Sequence, residues 1–240
     1  MMGRLLARGM IAGVLAACLA FAFARLFGEP QVALSIAFEA ARDAAAGEPP
    51  EPALFSRATQ AGLGLLTAAL AYGAAFGGLF SIVFALCYGR VNRMPPRLLA
   101  LVLALAGFVA VVLVPDLKYP PNPPAVGNAA TIGLRTATYA EMIVFSLCAM
   151  VLGTLAGRHL VTRLGVWNAT LGGVAIYAVL AVAFQTSLPD ISEVPANFPA
   201  LTLWRFREAA IGMQLVLWSG LGLIFGAMAE RVTGVASARA

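Results

Sequence analysis

The sequence holds a single histidine, His159, and three cysteines, Cys18, Cys87 and Cys148, with no C-x-x-C pair. Histidine this scarce leaves His159 without a second imidazole to complete a metal site, so a solvated place beside Arg158 is expected for it. The cysteines fall within or at the ends of apolar runs, where a thiol acts as a small hydrophobe rather than a disulfide partner. Also missing are a His-x-x-His pair, a Ser-His set and a Gly-rich phosphate loop. No enzyme is therefore expected, and any ATP energy has to come from a separate subunit. Charge is scarce as well, at 11% of residues with a net +5. Basic residues do not interleave with aromatics on one face, so nucleic acid is not an expected partner.

What the chain has is apolar surface: 61% of residues are hydrophobic and the mean hydropathy is +0.88. A soluble core does not need that much, whereas a helix crossing a bilayer takes about 20 apolar residues to span roughly 30 Å of hydrocarbon. Six such stretches stand out, at residues 5–27, 58–86, 98–114, 136–156, 166–184 and 209–229. None shows the stripe of a soluble bundle helix, and none alternates as barrel strands do. The expected fold is an all-α polytopic membrane protein of six transmembrane helices forming one integral domain over 1–240, with the lipid bilayer as its partner. Small residues spaced by four, Gly9 and Gly13, Gly73 and Gly77, Gly153 and Gly157, Gly222 and Gly226, predict close packing between spans.

Arginines gather at Arg4 and Arg8, at Arg90, Arg93 and Arg97, at Arg158 and Arg163, and at Arg231 and Arg239. Placing these nine in the cytoplasm satisfies the positive-inside rule and puts both termini there. Nine of the eleven acids then lie outside. Arg4 and Arg8 ahead of an apolar run, with Ala22-Phe23-Ala24 behind it, also fit a cleaved signal peptide. The run is long for that, and a retained anchor is the reading adopted.

Two outer loops repeat one pattern. Pro115-Asp116 leads to Pro120-Pro121-Asn122-Pro123-Pro124-Ala125, and Pro189-Asp190 leads to Pro195-Ala196-Asn197-Phe198-Pro199-Ala200. Each then passes a threonine and an arginine, Thr131 with Arg135 and Thr202 with Arg205, into the next span. Arg-Leu-Leu openings recur at Arg4 and Arg97, with Arg163-Leu164 a shorter version, and Glu29-Pro30 ends the first span. The chain thus reads as three tandem helical hairpins, roughly 4–88, 97–157 and 163–230, in one orientation, a plan known among transporters. Proline fixes φ and removes amide donors, so both loops are expected to be stiff extended coil, serving as connectors or as a lid over the outer mouth.

The stretches Leu117-Lys118-Tyr119 through Gly127, Glu193 through Pro199, and Leu203-Trp204-Arg205-Phe206-Arg207 resemble those of the CbtA family. So does the first span ending in Glu29-Pro30, and the similarity extends over essentially the whole chain. The resemblance implies a cobalt transporter subunit of a bacterial inner membrane, linked to cobalamin metabolism. It also implies a small single-span partner with a histidine-rich tail, CbtB, in a homo- or hetero-oligomer. It brings no ligand set.

Cobalt(II), the implied substrate, favours imidazole and carboxylate ligands. Glu141, two turns into the fourth span, is the first candidate because an intramembrane acid is costly. Its alternative is an ion pair with Arg135. Asp116, Asp190 and Glu193 are candidates for drawing cations to the outer mouth, or are ordinary solvated charges. Tyr119, Asn122, Asn197, Arg205 and Glu208 complete the loop and pathway set, with Glu208 expected to pair at the interface. Five methionines over three spans, Met10, Met142, Met150, Met213 and Met228, are read as packing. No tightly bound cofactor is expected. The functional expectation is a divalent-cation transport component, against a scaffold subunit with no pathway of its own.

Overall fold

Runs of Leu, Ala, Val, Phe and Gly leave each backbone amide and carbonyl to be satisfied within its own segment, which in hydrocarbon means helix. A computed structural model describes residues 2–47, 49, 54–90 and 94–234; Arg93 and Arg239 of the basic clusters lie outside the described residues. Among the described residues five helices are long and apolar enough to cross a membrane: α1 (Met2–Ala45), α2 (Arg57–Cys87), α3 (Pro96–Lys118), α4 (Ala129–Ser187) and α5 (Ala200–Thr233). No strand occurs among the described residues.

The fourth and fifth apolar stretches both lie within α4. That helix breaks at Gly165, whose φ of 73° and ψ of 167° interrupt otherwise helical backbone. Glycine alone reaches this region without strain. The two arms pack on each other, with the Ser146 and Tyr177 hydroxyls 3.0 Å apart. A Cβ placed on Gly153 would lie 2.6 Å from the Gly173 carbonyl oxygen.

The first span does not stop at Glu29-Pro30; α1 continues to Ala45. A proline inside a helix lacks its amide donor and collides with the carbonyl four residues back. Here the backbone widens into a π turn, Ala24–Gly28, just before Pro30, and the Glu29 amide donates to the Ala24 carbonyl. The same device recurs in α3, where the π turn Val109–Leu113 precedes Pro115. Each π turn contains the residue whose carbonyl the proline would strike, so the helix absorbs the ring instead of ending.

The helices sort into two compact units, Met1–Gly107 with Pro123–Ala125 and Pro199–Ala240, and Phe108–Asn122 with Val126–Phe198. In the first, α1 and α2 meet backbone to backbone. A Cβ on Gly13 would come within 1.9 Å of the Gly73 carbonyl oxygen, and one on Gly77 within 2.1 Å of that of Gly9. α5 uses small residues too, Gly220 against Ala16 and Gly222 against Ala104. Phe225 meets Phe80 and Phe84 edge-on, with centroids 5.5 and 5.1 Å away. At one end Arg8 donates to the Met228 carbonyl at 2.7 Å and Arg97 pairs with Glu230 at 2.7 Å, gathering three of the predicted basic segments. The second unit is built on Val114, Met142, Ala149, Tyr177 and Ala181.

Gly165→Ala is expected to cost about 1–3 kcal/mol through its strained backbone. Gly133→Ala, at a helical position with open space around it, is expected to cost nothing, since alanine is the better helix former by about 1 kcal/mol. Unfolding midpoints in mixed SDS and mild detergent would show the first lowered and the second unchanged or raised.

Candidate functional site

In the second unit the two proline-rich loops are fastened to each other. At the end of α3, Lys118 forms an ion pair and hydrogen bond with Asp190, and the Tyr119 hydroxyl donates to the Pro189 carbonyl at 2.8 Å. Farther along, Glu193 accepts from the Asn128 amide at 2.7 Å and from the Thr131 hydroxyl. Arg135 stands 3.4 Å from the Glu193 carboxylate and also donates to the Asn128 carbonyl at 3.0 Å. Asn128 further caps the turn that opens α4 through its side-chain oxygen.

Magnitudes separate the two ends of this clasp. Asp190 is almost wholly exposed, and an ion pair of that kind contributes about 0–1 kcal/mol. Glu193 keeps only 18% of its side-chain exposure and receives two directed donors as well as a guanidinium, so it is the firmer anchor. The hydrogen bonds from Thr131 and Asn128 hold its carboxyl below the usual glutamate range, with Arg135 adding to the effect.

The four acids proposed for a cation therefore divide. Asp190 and Glu193 are matched by Lys118 and Arg135. Asp116 is held by a neutral donor, the Tyr139 hydroxyl at 3.0 Å. Glu141 is exposed on α4, and Arg135, its expected partner, is engaged with Glu193 instead. Among the described residues no three His, Cys, Asp or Glu side chains gather as a metal-binding group. Asn122 lies in irregular backbone and Asn197 in a turn, as proline-rich loops require, and His159 is exposed on α4.

Arg205 and Glu208 belong elsewhere, to a cavity of about 380 Å³ in the first unit between α1 and α5. Its floor is Phe23, Leu26, Phe27 and Pro30, at the π turn of α1, with Ala209 opposite. Gln31 also lines it, only 9% exposed and with its side-chain oxygen buried without a hydrogen-bond partner among the described residues. Sequence reasoning passed over Gln31 because it follows the proline taken as the end of the first span. The four-residue spacing of Gln31 and Ser35, both buried, is the signal that a helical face continues past that proline.

The helices, their lengths and their small-residue contacts define a polytopic helical membrane protein. The chain belongs to the family described as probable cobalt transporter subunit (CbtA), whose sequence profile matches residues 2–230. No curated protein and no solved structure matches it significantly. Membership carries a transport role, as a subunit.

Because the fold stabilises ionised Glu193, its contribution is complete above the ordinary glutamate value of about 4.3 and is lost as pH falls through the lowered value. Thermal unfolding in detergent from pH 7 to 3 would show the wild type losing stability below about pH 4. Glu193→Gln would start less stable at pH 7 and fall less on acidification.

Proposed function

We propose that this chain is the membrane-embedded component of a divalent-cation transporter, with cobalt(II) as cargo, in a bacterial inner membrane and with both termini cytoplasmic. It is a transport component and not an enzyme. The two arms of α4 cross separately, which brings the passes to six, arranged as three like-oriented hairpins. The observation that carries the reading is Glu141, an acid on an apolar helix, exposed and with no side-chain hydrogen bond or ion pair to another described residue. Facing lipid, such a charge costs about 2.5–3.5 kcal/mol on insertion scales. A passing cation, or the surface of a partner subunit, relieves that cost. Asp116 supports the same reading. Its carboxylate is oriented by Tyr139, and Glu141 follows Tyr139 by two residues, about 3 Å along the helix axis. Of the four candidate acids these two are left without a basic partner, and carboxylate oxygens are ligands that a hydrated divalent ion accepts. A small single-span subunit is the partner this surface fits, and it would supply the ligands that the chain itself has few of.

Scarcity of clustered ligands favours a second reading, a scaffold that holds the conducting subunit in place. Initial uptake of radioactive cobalt into cells, with and without the chain, separates the two. The transport reading predicts that Glu141→Gln lowers uptake about tenfold or more, the scale of losing one charged ligand, at unchanged protein level. Uptake that disappears with the chain but is indifferent to Glu141→Gln and Asp116→Asn assigns the scaffold role. Uptake unaffected by removing the chain contradicts both.

A further inference from the structure

The cavity between α1 and α5 has a composition unlike that of a cation site. Glu208 is its one acid and Arg205 its one base, so its formal charge is zero, which offers nothing to a divalent ion. Its neutral polar group, Gln31, presents a buried side-chain oxygen with no donor to satisfy it. An unpaired buried acceptor of this kind is destabilising unless a ligand or water brings a hydrogen. The remaining wall is apolar. Phe23 and Phe27 stand with ring centroids 4.7 Å apart, and Leu26 and Phe27 are 68% and 55% exposed. Such a wall opens sideways, toward whatever surrounds the helix bundle.

Depth points the same way. Residues 2–23 of α1 are already long enough to cross roughly 30 Å of hydrocarbon at 1.5 Å per residue. The π turn and Gln31 therefore sit where that helix leaves the bilayer, at the level of headgroups. Arg205 and Glu208, near the start of α5, line the cavity at the same level.

A donor for Gln31, a cation for Glu208, an anion for Arg205 and an alkyl chain for the phenyl wall are all found in one molecule class. We infer that this cavity binds an aminophospholipid of the phosphatidylethanolamine type. Its phosphate lies against the Arg205 guanidinium, its primary ammonium donates to the Glu208 carboxylate and the Gln31 side-chain oxygen, and an acyl chain runs along Leu26 and Phe27. Phosphatidylglycerol offers the phosphate but no ammonium. Phosphatidylcholine offers a positive charge but no N–H for Gln31. The headgroup preference is the signature of the site, because lipid merely coating the helices would show none. This assignment does not depend on the chain's transport role.

Native mass spectrometry of the full chain, released from nanodiscs of equal phosphatidylethanolamine, phosphatidylglycerol and phosphatidylcholine, reads the bound lipid directly. The wild type is expected to retain phosphatidylethanolamine preferentially. Glu208→Gln should lower that preference roughly tenfold, the scale of losing one charged hydrogen bond, and Gln31→Leu should lower it in the same direction. Arg205→Gln should weaken retention of all three lipids. Glu39→Gln, at a partly exposed acid paired with Arg42 outside the cavity, should leave retention as in the wild type and so control for lost charge. Equal retention of the three lipids by the wild type, or a preference that survives Glu208→Gln and Gln31→Leu together, overturns the assignment. So does cobalt(II) binding that Glu208→Gln removes while lipid retention stays unchanged.

Discussion

Lipid tails are as apolar as leucine, so no solvent force drives one spanning helix onto another, and what holds this bundle is how closely its backbones can approach. The contact of Gly9 and Gly13 on α1 with Gly73 and Gly77 on α2 leaves no room for even one added carbon at those positions. Dispersion, weak C–H contacts and the absence of side-chain entropy loss act together at such a seam. The seam fixes α1, and α1 in turn carries the face on which α5 lies through Gly220 and Ala16. The first unit, with the cavity between α1 and α5, inherits its geometry from this approach.

Within the second unit polar groups follow two logics. Where they meet water they are spent on fastening: Lys118 and Asp190, Glu193 with Asn128, Thr131 and Arg135, and Tyr119 with Pro189 join two loops that proline has already stiffened. Where they lie along apolar helix they stay available. Among the described residues Asp116 accepts from a tyrosine hydroxyl alone and the Glu141 side chain has no partner. Charges matched by a neighbour are structural. Acids without a counterion on a spanning helix are the ones to which the proposed function gives a transported ion or a partner subunit.

Much of this is legible in the residues. The six apolar runs fall on the five helices long enough to span, two of them on α4, and glycines spaced by four mark the seams, because hydrocarbon thickness and backbone approach are local constraints. The stretches Pro120–Pro123 and Pro195–Pro199 are legible as irregular backbone because proline fixes φ locally, whereas Pro115-Asp116, expected in the loop, closes α3 as helix. The pairing of Lys118 with Asp190 across 72 residues is not, since it depends on tertiary placement. Nor is the continuation of α1 beyond Pro30, because a π turn adjusts the hydrogen-bond register at no cost visible in composition. That continuation hid Gln31 and with it the cavity. Gly165 falls between two apolar stretches and reads as a connector, whereas its backbone turns one helix back on itself without an intervening loop.

The claim beneath the rest is that the α1–α2 seam holds by backbone proximity, and a double-mutant cycle at Gly13 and Gly73 tests it most directly. Reversible unfolding in mixed SDS and mild detergent should show Gly13→Ala and Gly73→Ala each destabilising by about 1–3 kcal/mol, the usual cost of overpacking. The double variant should cost clearly less than the sum, because helices pushed apart by one methyl group accommodate the second. Two single substitutions without effect, or strict additivity between them, would mean that the seam is not what holds the helices together.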